Sequence, residues 1–202
     1  MNEHTELLVA TNNAGKVREL SQLLDGFPLR LRLLAEFPAV EEAEETGVTF
    51  AENAVIKARY YSSHTGLLTL SDDSGLAVDA LGGAPGVYSA RYAGREATYA
   101  ERMSKLLGEV EATGDAERRA RFVCVIAVAD PAAGTLRTFE GECPGRLARA
   151  PRGDGGFGYD PVFIPDGHER TFGELPAEVK HQLSHRARAL QQAARHLREH
   201  YT

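Results

Sequence analysis

The apolar run Leu67-Leu68-Thr69-Leu70 reads as a short buried strand, and it leads straight into Ser71-Asp72-Asp73-Ser74-Gly75. Paired carboxylates at the end of a strand stand where α/β proteins place their chemistry. Such a pair can hold a hard divalent cation through oxygen, and a metal-bound water beside a carboxylate base becomes a nucleophile for phosphorus. A metal-assisted phosphate enzyme is the first expectation. A solvated Asp-Ser-Gly turn is the alternative, since these residues dominate turns for conformational reasons alone.

The pattern around this run is that of an α/β chain with a mixed sheet. Leu7-Leu8-Val9-Ala10 reads as a buried strand, Thr11-Asn12-Asn13-Ala14-Gly15-Lys16 as a polar loop, and Val17, Leu20 and Leu24 as a helix face. Residues 29–34 form a second strand, ending in an acidic stretch at 41–45. Thr49 and Glu52 make a capping-box pair, and Phe50, Ala54, Ala58 and Tyr61 are the apolar stripe of a helix ending near His64-Thr65-Gly66. Asn53 and Lys57 share a face of that helix, one turn apart. Leu76-Ala77-Val78 reads as a further short strand, followed by a long Gly/Pro loop over 81–94. Thr98 and Glu101 cap a helix carrying Met103, Leu106 and Leu107, and residues 122–128 form a β-branched central strand. The turn Asp130-Pro131-Ala132-Ala133-Gly134 returns the chain antiparallel over 135–142. Leu183, Ala187, Leu190, Ala194 and Leu197 draw one seam along a terminal helix that starts at Ser184.

With 202 residues, 43% hydrophobic and 26% charged, the chain can bury a sizeable core, and no linker-like tract divides it. A single domain over 1–202 is expected. The start, Met1-Asn2-Glu3-His4-Thr5-Glu6, has no targeting pattern, and no apolar stretch is long enough to span a membrane, so cytoplasmic residence is expected. Cys124 and Cys143 lie far apart without metal-ligand spacing and read as ordinary buried strand cysteines. A net charge of −6 argues against a nucleic-acid coat, which needs a basic face. The basic cluster Arg118-Arg119-Ala120-Arg121 reads as a solvated strand entry.

Three further constellations could carry chemistry. The loop from Thr11 through Asn12, Asn13, Ala14 and Gly15 to Lys16 offers helix-start N–H groups, short polar side chains and one lysine to a phosphate chain, without the spacing of a Walker loop. The glycine-rich segment Gly153-Asp154-Gly155-Gly156-Phe157-Gly158-Tyr159-Asp160-Pro161 permits close backbone approach, with rings on which a flat base could stack and a carboxylate to accept from it. A purely structural corner is the alternative. Lys180 and Ser184-His185-Arg186 gather donors that could read an exocyclic oxygen such as the O6 of hypoxanthine, while an amine there would set donor against donor. A surface helix cap is the plainer explanation of the His-Arg pair.

Taken together, these segments resemble the inosine triphosphate pyrophosphatase family. The resemblance runs through Ala10 to Lys16, Glu44-Glu45-Thr46-Gly47, Thr49-Phe50-Ala51-Glu52-Asn53-Ala54 with Lys57-Ala58, and Asp72-Asp73-Ser74-Gly75-Leu76. It continues through residues 81–92 and 155–163 to Lys180 and Ser184-His185-Arg186, covering nearly the whole chain, with 171–182 and 96–119 least alike. The resemblance implies an elongated α/β fold, a mixed β-sheet with flanking helices in two lobes around a nucleotide-binding cleft, and a homodimer. It implies hydrolysis of non-standard purine nucleoside triphosphates, those of inosine, deoxyinosine and xanthosine, to monophosphate and pyrophosphate with Mg²⁺. Carried over by position, Thr11, Asn12, Asn13, Ala14, Gly15, Lys16 and Lys57 bind the triphosphate. Glu45 and Asp73 handle Mg²⁺, Asp73 is also the general base, and Ser74 contacts phosphate. Phe157, Gly158, Tyr159, Asp160, Lys180, His185 and Arg186 hold the nucleoside.

The chemistry is consistent on its own terms. Phosphoanhydride cleavage needs charge neutralisation and a water held in line with the leaving group. Lys16, Lys57 and Mg²⁺ meet the first need and Asp73 the second. Other classes compatible with the sequence are a nucleotide sensor that binds without hydrolysing, an enzyme preferring pyrimidine or standard nucleotides, and, most weakly, an RNA-binding protein.

Overall fold

The computed structural model describes residues 5–201; the polar residues 1–4 at the start, and residue 202, lie outside the described residues. The elements follow the order β1 (Glu6–Val9), α1 (Ala14–Leu23), β2 (Arg30–Leu33), α2 (Phe50–Thr65), β3 (Leu68–Val78), α3 (Tyr99–Thr113), β4 (Arg119–Asp130), β5 (Thr135–Leu147), β6 (Phe163–Pro165), α4 (Ala177–Leu183) and α5 (His185–Tyr201). The strand order is β2-β1-β3-β4-β5-β6. Since β1 runs parallel to both β2 and β3 while β6 is antiparallel to β5, the sheet is mixed. The fold is α/β, as the strand and helix periodicities predict.

The helix boundaries follow local chemistry. Thr49 Oγ1 accepts from the Glu52 N–H while Glu52 Oε2 accepts from the Thr49 N–H, the reciprocal capping box that starts α2, and Gly66 at φ 70° ends it in a conformation costly for side-chain-bearing residues. Thr98 and Glu101 start α3 in the same way.

The chain forms two compact units. The first comprises residues up to Asp73, 124–141 and from Arg186 onward; the second comprises 74–123 and 142–185. Within the first, strand alternation sorts side chains onto two faces. Leu7, Val9, Leu68, Leu70, Cys124, Ile126 and Val128 pack with Leu20 and Leu24 of the α1 segment and with Ala189, Leu190, Ala193 and Leu197 of α5. Residues of opposite parity turn the other way, where Val125, Ala127 and Ala129 pack on Ala54 and Ala58 of α2, and Leu8 and Ala10 on Tyr61. Within the second unit Leu76, Val78, Phe122, Cys143, Leu147 and Phe163 pack with Met103, Leu106 and Val110 of α3.

Several local expectations change. Ser71 to Gly75 is no turn between two short strands; it lies inside β3, an eleven-residue strand. Asp72 and Asp73 are buried there rather than solvated, because lysine, arginine and amide partners meet them on both faces. Leu183 belongs to the separate short helix α4, and the buried face of α5 uses Ala189 and Ala193 in place of Ala194. Arg118 is not a solvated strand entry: it is buried, donating to the carbonyls of Leu147 and Ala148 and paired with Glu111. Arg119 and Arg121 do pair near the surface, with Asp166 and with Asp79 and Glu142. Both cysteines are buried and free.

Candidate functional site

Strand parity assigns the two adjacent carboxylates different surroundings. Asp72 shares its parity with Leu68 and Leu70 and so faces α1 and α5. There Lys16 Nζ lies 3.1 Å from its Oδ2 and Arg186 Nη2 3.3 Å from the same oxygen. Asp73 points oppositely, to α2, where Lys57 Nζ lies 3.1 Å from Oδ1 and Asn53 Nδ2 donates to Oδ2 at 3.3 Å. The neighbouring Ser71, of the same parity, donates to the Ala54 carbonyl at 2.6 Å and fixes this face of β3 on α2.

The electrostatics differ accordingly. Burial works against the charge of Asp72, yet Lys16, Arg186 and Lys57 outweigh it and hold that carboxyl well below the usual range. Asp73 goes the other way: burial raises it, Lys57 and Lys16 offset part of that rise, and the nearby Glu45 charge adds to it. Asp72 is thus held as a charged counter-ion to Lys16 and Arg186, whereas Asp73 has the greater proton affinity of the two. For Lys57, burial is outweighed by Asp73, Asp72 and Glu45, so its ammonium is held firmly charged.

Lys57 Nζ also lies 2.6 Å from Glu45 Oε1. One ammonium therefore touches Glu45 and Asp73 together, so a single cation can reach both carboxylates. Among the described residues no group of three or more His, Cys, Asp and Glu side chains could hold a metal. The pair still fits Mg²⁺, which usually binds one or two carboxylates and completes its shell with water and substrate phosphate; it would not fit a metal needing a full protein cage.

In the loop before α1, Asn13 is the N-cap: its Oδ1 accepts from the Gly15 N–H at 2.9 Å and the Lys16 N–H at 3.1 Å, and its own N–H donates to Thr11 Oγ1. Two helix-start donors expected to face phosphate are thus engaged by the cap. Asn12 and Ala14 are exposed. Arg186, expected to read the base, is buried in the first unit between Glu19 and Asp72. Its Nε and Nη2 donate to Asp72 Oδ2 and its Nη1 to Glu19 Oε2. Glu19 had no sequence signal beyond its place on α1.

The second unit holds the rest of the nucleoside set. Asp160 is buried; its Oδ2 accepts from the Phe157 N–H at 2.7 Å and from Lys180 Nζ at 2.6 Å. Gly156, at φ 71°, passes so close that a Cβ would lie 2.0 Å from that oxygen, which explains its lack of a side chain. Lys180 in α4 also lies over the Phe157 ring, 4.6 Å from its centroid. Phe157 is half-buried, but Tyr159 is a core residue: it is 3% exposed, its hydroxyl donates to the Ser89 carbonyl at 2.9 Å, and its ring meets Tyr99 edge to face. Stacking of a base on Tyr159 is therefore corrected, since its ring is already enclosed. His185 is likewise buried, stacked on Phe122 at 4.7 Å. Gly158 has φ 69°, and Ser74 is half-buried on β3.

The likeness to known proteins covers the full set of these segments. A dITP/XTP pyrophosphatase of Geobacter sulfurreducens is 50% identical over 193 residues, 96% of each chain. The solved structure of a HAM1 protein from Coxiella burnetii superposes with a TM-score of 0.89 at 45% identity, covering 96% of this chain and 99% of its own. A nucleoside-triphosphatase / dITP/XTP pyrophosphatase from Mycobacterium abscessus superposes with a TM-score of 0.77 at 45% identity, covering 94% and 98%. Residues 7–196 match the Ham1 family throughout, and with the carboxylate, lysine and glycine-loop segments all in place the chain belongs to that family.

Proposed function

We propose that this protein hydrolyses the triphosphates of inosine, deoxyinosine and xanthosine to the monophosphate and pyrophosphate, with water attacking the α-phosphorus. The observation that carries the reading is the Asp73 cluster: a buried carboxylate of raised proton affinity, bracketed by Lys57, Asn53 and Glu45. It occurs in a chain half identical to a dITP/XTP pyrophosphatase over 96% of both lengths.

Asp73 takes a proton from water as its oxygen bonds to the α-phosphorus; the bond to the bridging oxygen breaks and pyrophosphate departs with the electron pair. Lys16 and Lys57 exchange carboxylate oxygens for phosphate oxygens as the nucleotide arrives. Thr11, Asn12, Asn13, Ala14, Gly15 and Ser74 contact the phosphate chain. Glu45 and Asp73 would hold Mg²⁺, which would supply charge neutralisation for the triphosphate. Phe157 offers the ring for the base, Gly158 and Tyr159 contribute backbone, and Asp160, Lys180, His185 and Arg186 order the polar edge. Homodimerisation, implied by the sequence resemblance, and the expected cytoplasmic residence belong to the same reading. Among the described residues no helix is long and apolar enough to cross a membrane.

A substrate panel tests this directly. With Mg²⁺, inosine, deoxyinosine and xanthosine triphosphates should yield pyrophosphate with specificity constants at least about a hundredfold above that of adenosine triphosphate, whose exocyclic amine sets donor against donor. Binding without turnover would favour a sensor, and preference for a pyrimidine would reject the base assignment.

A further inference from the structure

Asn53 is not among the residues that the sequence assigns to the reaction, yet its side chain is completely buried and engaged at both ends. Its Oδ1 accepts from the Gly47 N–H at 2.8 Å, and its Nδ2 donates to Asp73 Oδ2 at 3.3 Å. The orientation of the amide is determined, because only the oxygen can accept from a backbone N–H, leaving the NH₂ toward the carboxylate. Gly47 lies two residues beyond Glu45 in the acidic loop. A Cβ at position 47 would stand 2.7 Å from Asn53 Oδ1 and 2.6 Å from Glu52 Cβ, so the approach depends on glycine.

One turn further along α2, Lys57 makes a parallel bridge, from Glu45 Oε1 to Asp73 Oδ1. Asn53 and Lys57 thus clamp the same two partners, the acidic loop and the β3 carboxylate. The clamps differ in kind. That of Lys57 is ionic and ends on groups that a cation or phosphate would engage, so it must loosen when substrate binds. That of Asn53 comes from an uncharged, fully buried amide that is tied to the loop backbone and reaches Asp73 through Oδ2, the oxygen Lys57 does not use, so it can persist.

We infer that Asn53 is a positioning residue that holds the Glu45 loop and Asp73 at a fixed separation, setting the spacing of the two carboxylates that take the metal. The inference rests on the reading of Glu45 and Asp73 as the Mg²⁺ pair and adds the part that keeps them in register when Lys57 is drawn to phosphate. Asn53 does not touch the reacting atoms. Its removal should therefore weaken metal binding and slow turnover more than it weakens nucleotide binding.

The test uses Mn²⁺ as the probe, by electron paramagnetic resonance, with a non-hydrolysable α,β-imido analogue of inosine triphosphate at saturation. In Asn53→Ser and Asn53→Leu, Mn²⁺ affinity should fall about tenfold, the size expected for a lost hydrogen bond to a charged group, while affinity for the analogue changes less than about threefold. Gly47→Ala, at a position without backbone strain, should reproduce the loss from the other side of the same contact and carries the test if the Asn53 variants fail to fold. Combined with Asn53→Ser it should add little, because both break one bridge. Unchanged Mn²⁺ affinity in folded Asn53→Ser and Gly47→Ala, or equal losses for metal and analogue, would overturn the inference. Failure of the unaltered protein to bind Mn²⁺ beside the analogue would overturn the metal-pair reading with it.

Discussion

The two units use their polar groups differently. In the first, charges pair with one another: Asp72, Asp73, Glu45, Glu19, Lys16, Lys57 and Arg186 form a largely buried network drawn from β3, α1, α2, α5 and the acidic loop. In the second, polar groups mainly shape a loop: Asp160 and Lys180 hold the backbone and the Phe157 ring, while Tyr159, Phe122, Phe163 and Phe172 belong to the core. A polyanion can be gripped by ions that are already assembled and need only change partners. A flat base needs one accessible face and a rigid edge, so most aromatic residues nearby can serve packing alone.

The largest expected loss is at Asp73. Asp73→Asn should lower pyrophosphate release by about a thousandfold, the range of a removed general base, with binding of the imido analogue retained. Near-normal turnover would remove Asp73 from the chemistry. Lys57→Met comes next, since it leaves Asp73 and Glu45 facing each other without their shared cation. Uncompensated buried charge costs about 3–5 kcal/mol, so calorimetry should show a melting temperature lower by about 10 °C, partly recovered by millimolar Mg²⁺.

Asp72→Asn should affect stability more than chemistry. The folded-state value of Asp72 is depressed, so its contribution is complete above the unfolded value of about 3.9 and is lost as pH falls below it. The variant should lose about 3 kcal/mol at neutral pH in denaturant unfolding and show a flatter decline below about pH 4. Turnover falling as far as in Asp73→Asn would erase the distinction between the two faces of β3.

In the second unit the effects are smaller. Phe157→Ala should raise the KM for inosine triphosphate about tenfold, as expected for one lost stacking platform, with kcat little changed. Tyr159→Phe should cost about 1 kcal/mol of stability through the lost bond to the Ser89 carbonyl and leave substrate preference intact. A shift in preference there would mean that the Tyr159 hydroxyl serves recognition as well as packing.

The sequence made the α/β class, the mixed sheet, both capping boxes and the pairing of Asn53 with Lys57 legible, because each is a local pattern of period or spacing. It misread Ser71 to Gly75 as a turn. Asp, Ser and Gly are poor strand formers in isolation, and only the distant partners Lys16, Lys57 and Arg186 make a buried strand of them. The divergence of Asp72 and Asp73 follows from that strand and could not be read while the segment was taken for a turn. Tyr159 was misjudged because a ring in a glycine loop carries no local mark of whether a base or the protein core will cover it.

The central claim, that water attacks the α-phosphorus and expels pyrophosphate, is tested most directly by hydrolysing inosine triphosphate in heavy-oxygen water and locating the label by mass spectrometry. The label should appear in the inosine monophosphate and not in the pyrophosphate. Label in the pyrophosphate, or release of orthophosphate with inosine diphosphate, would contradict it.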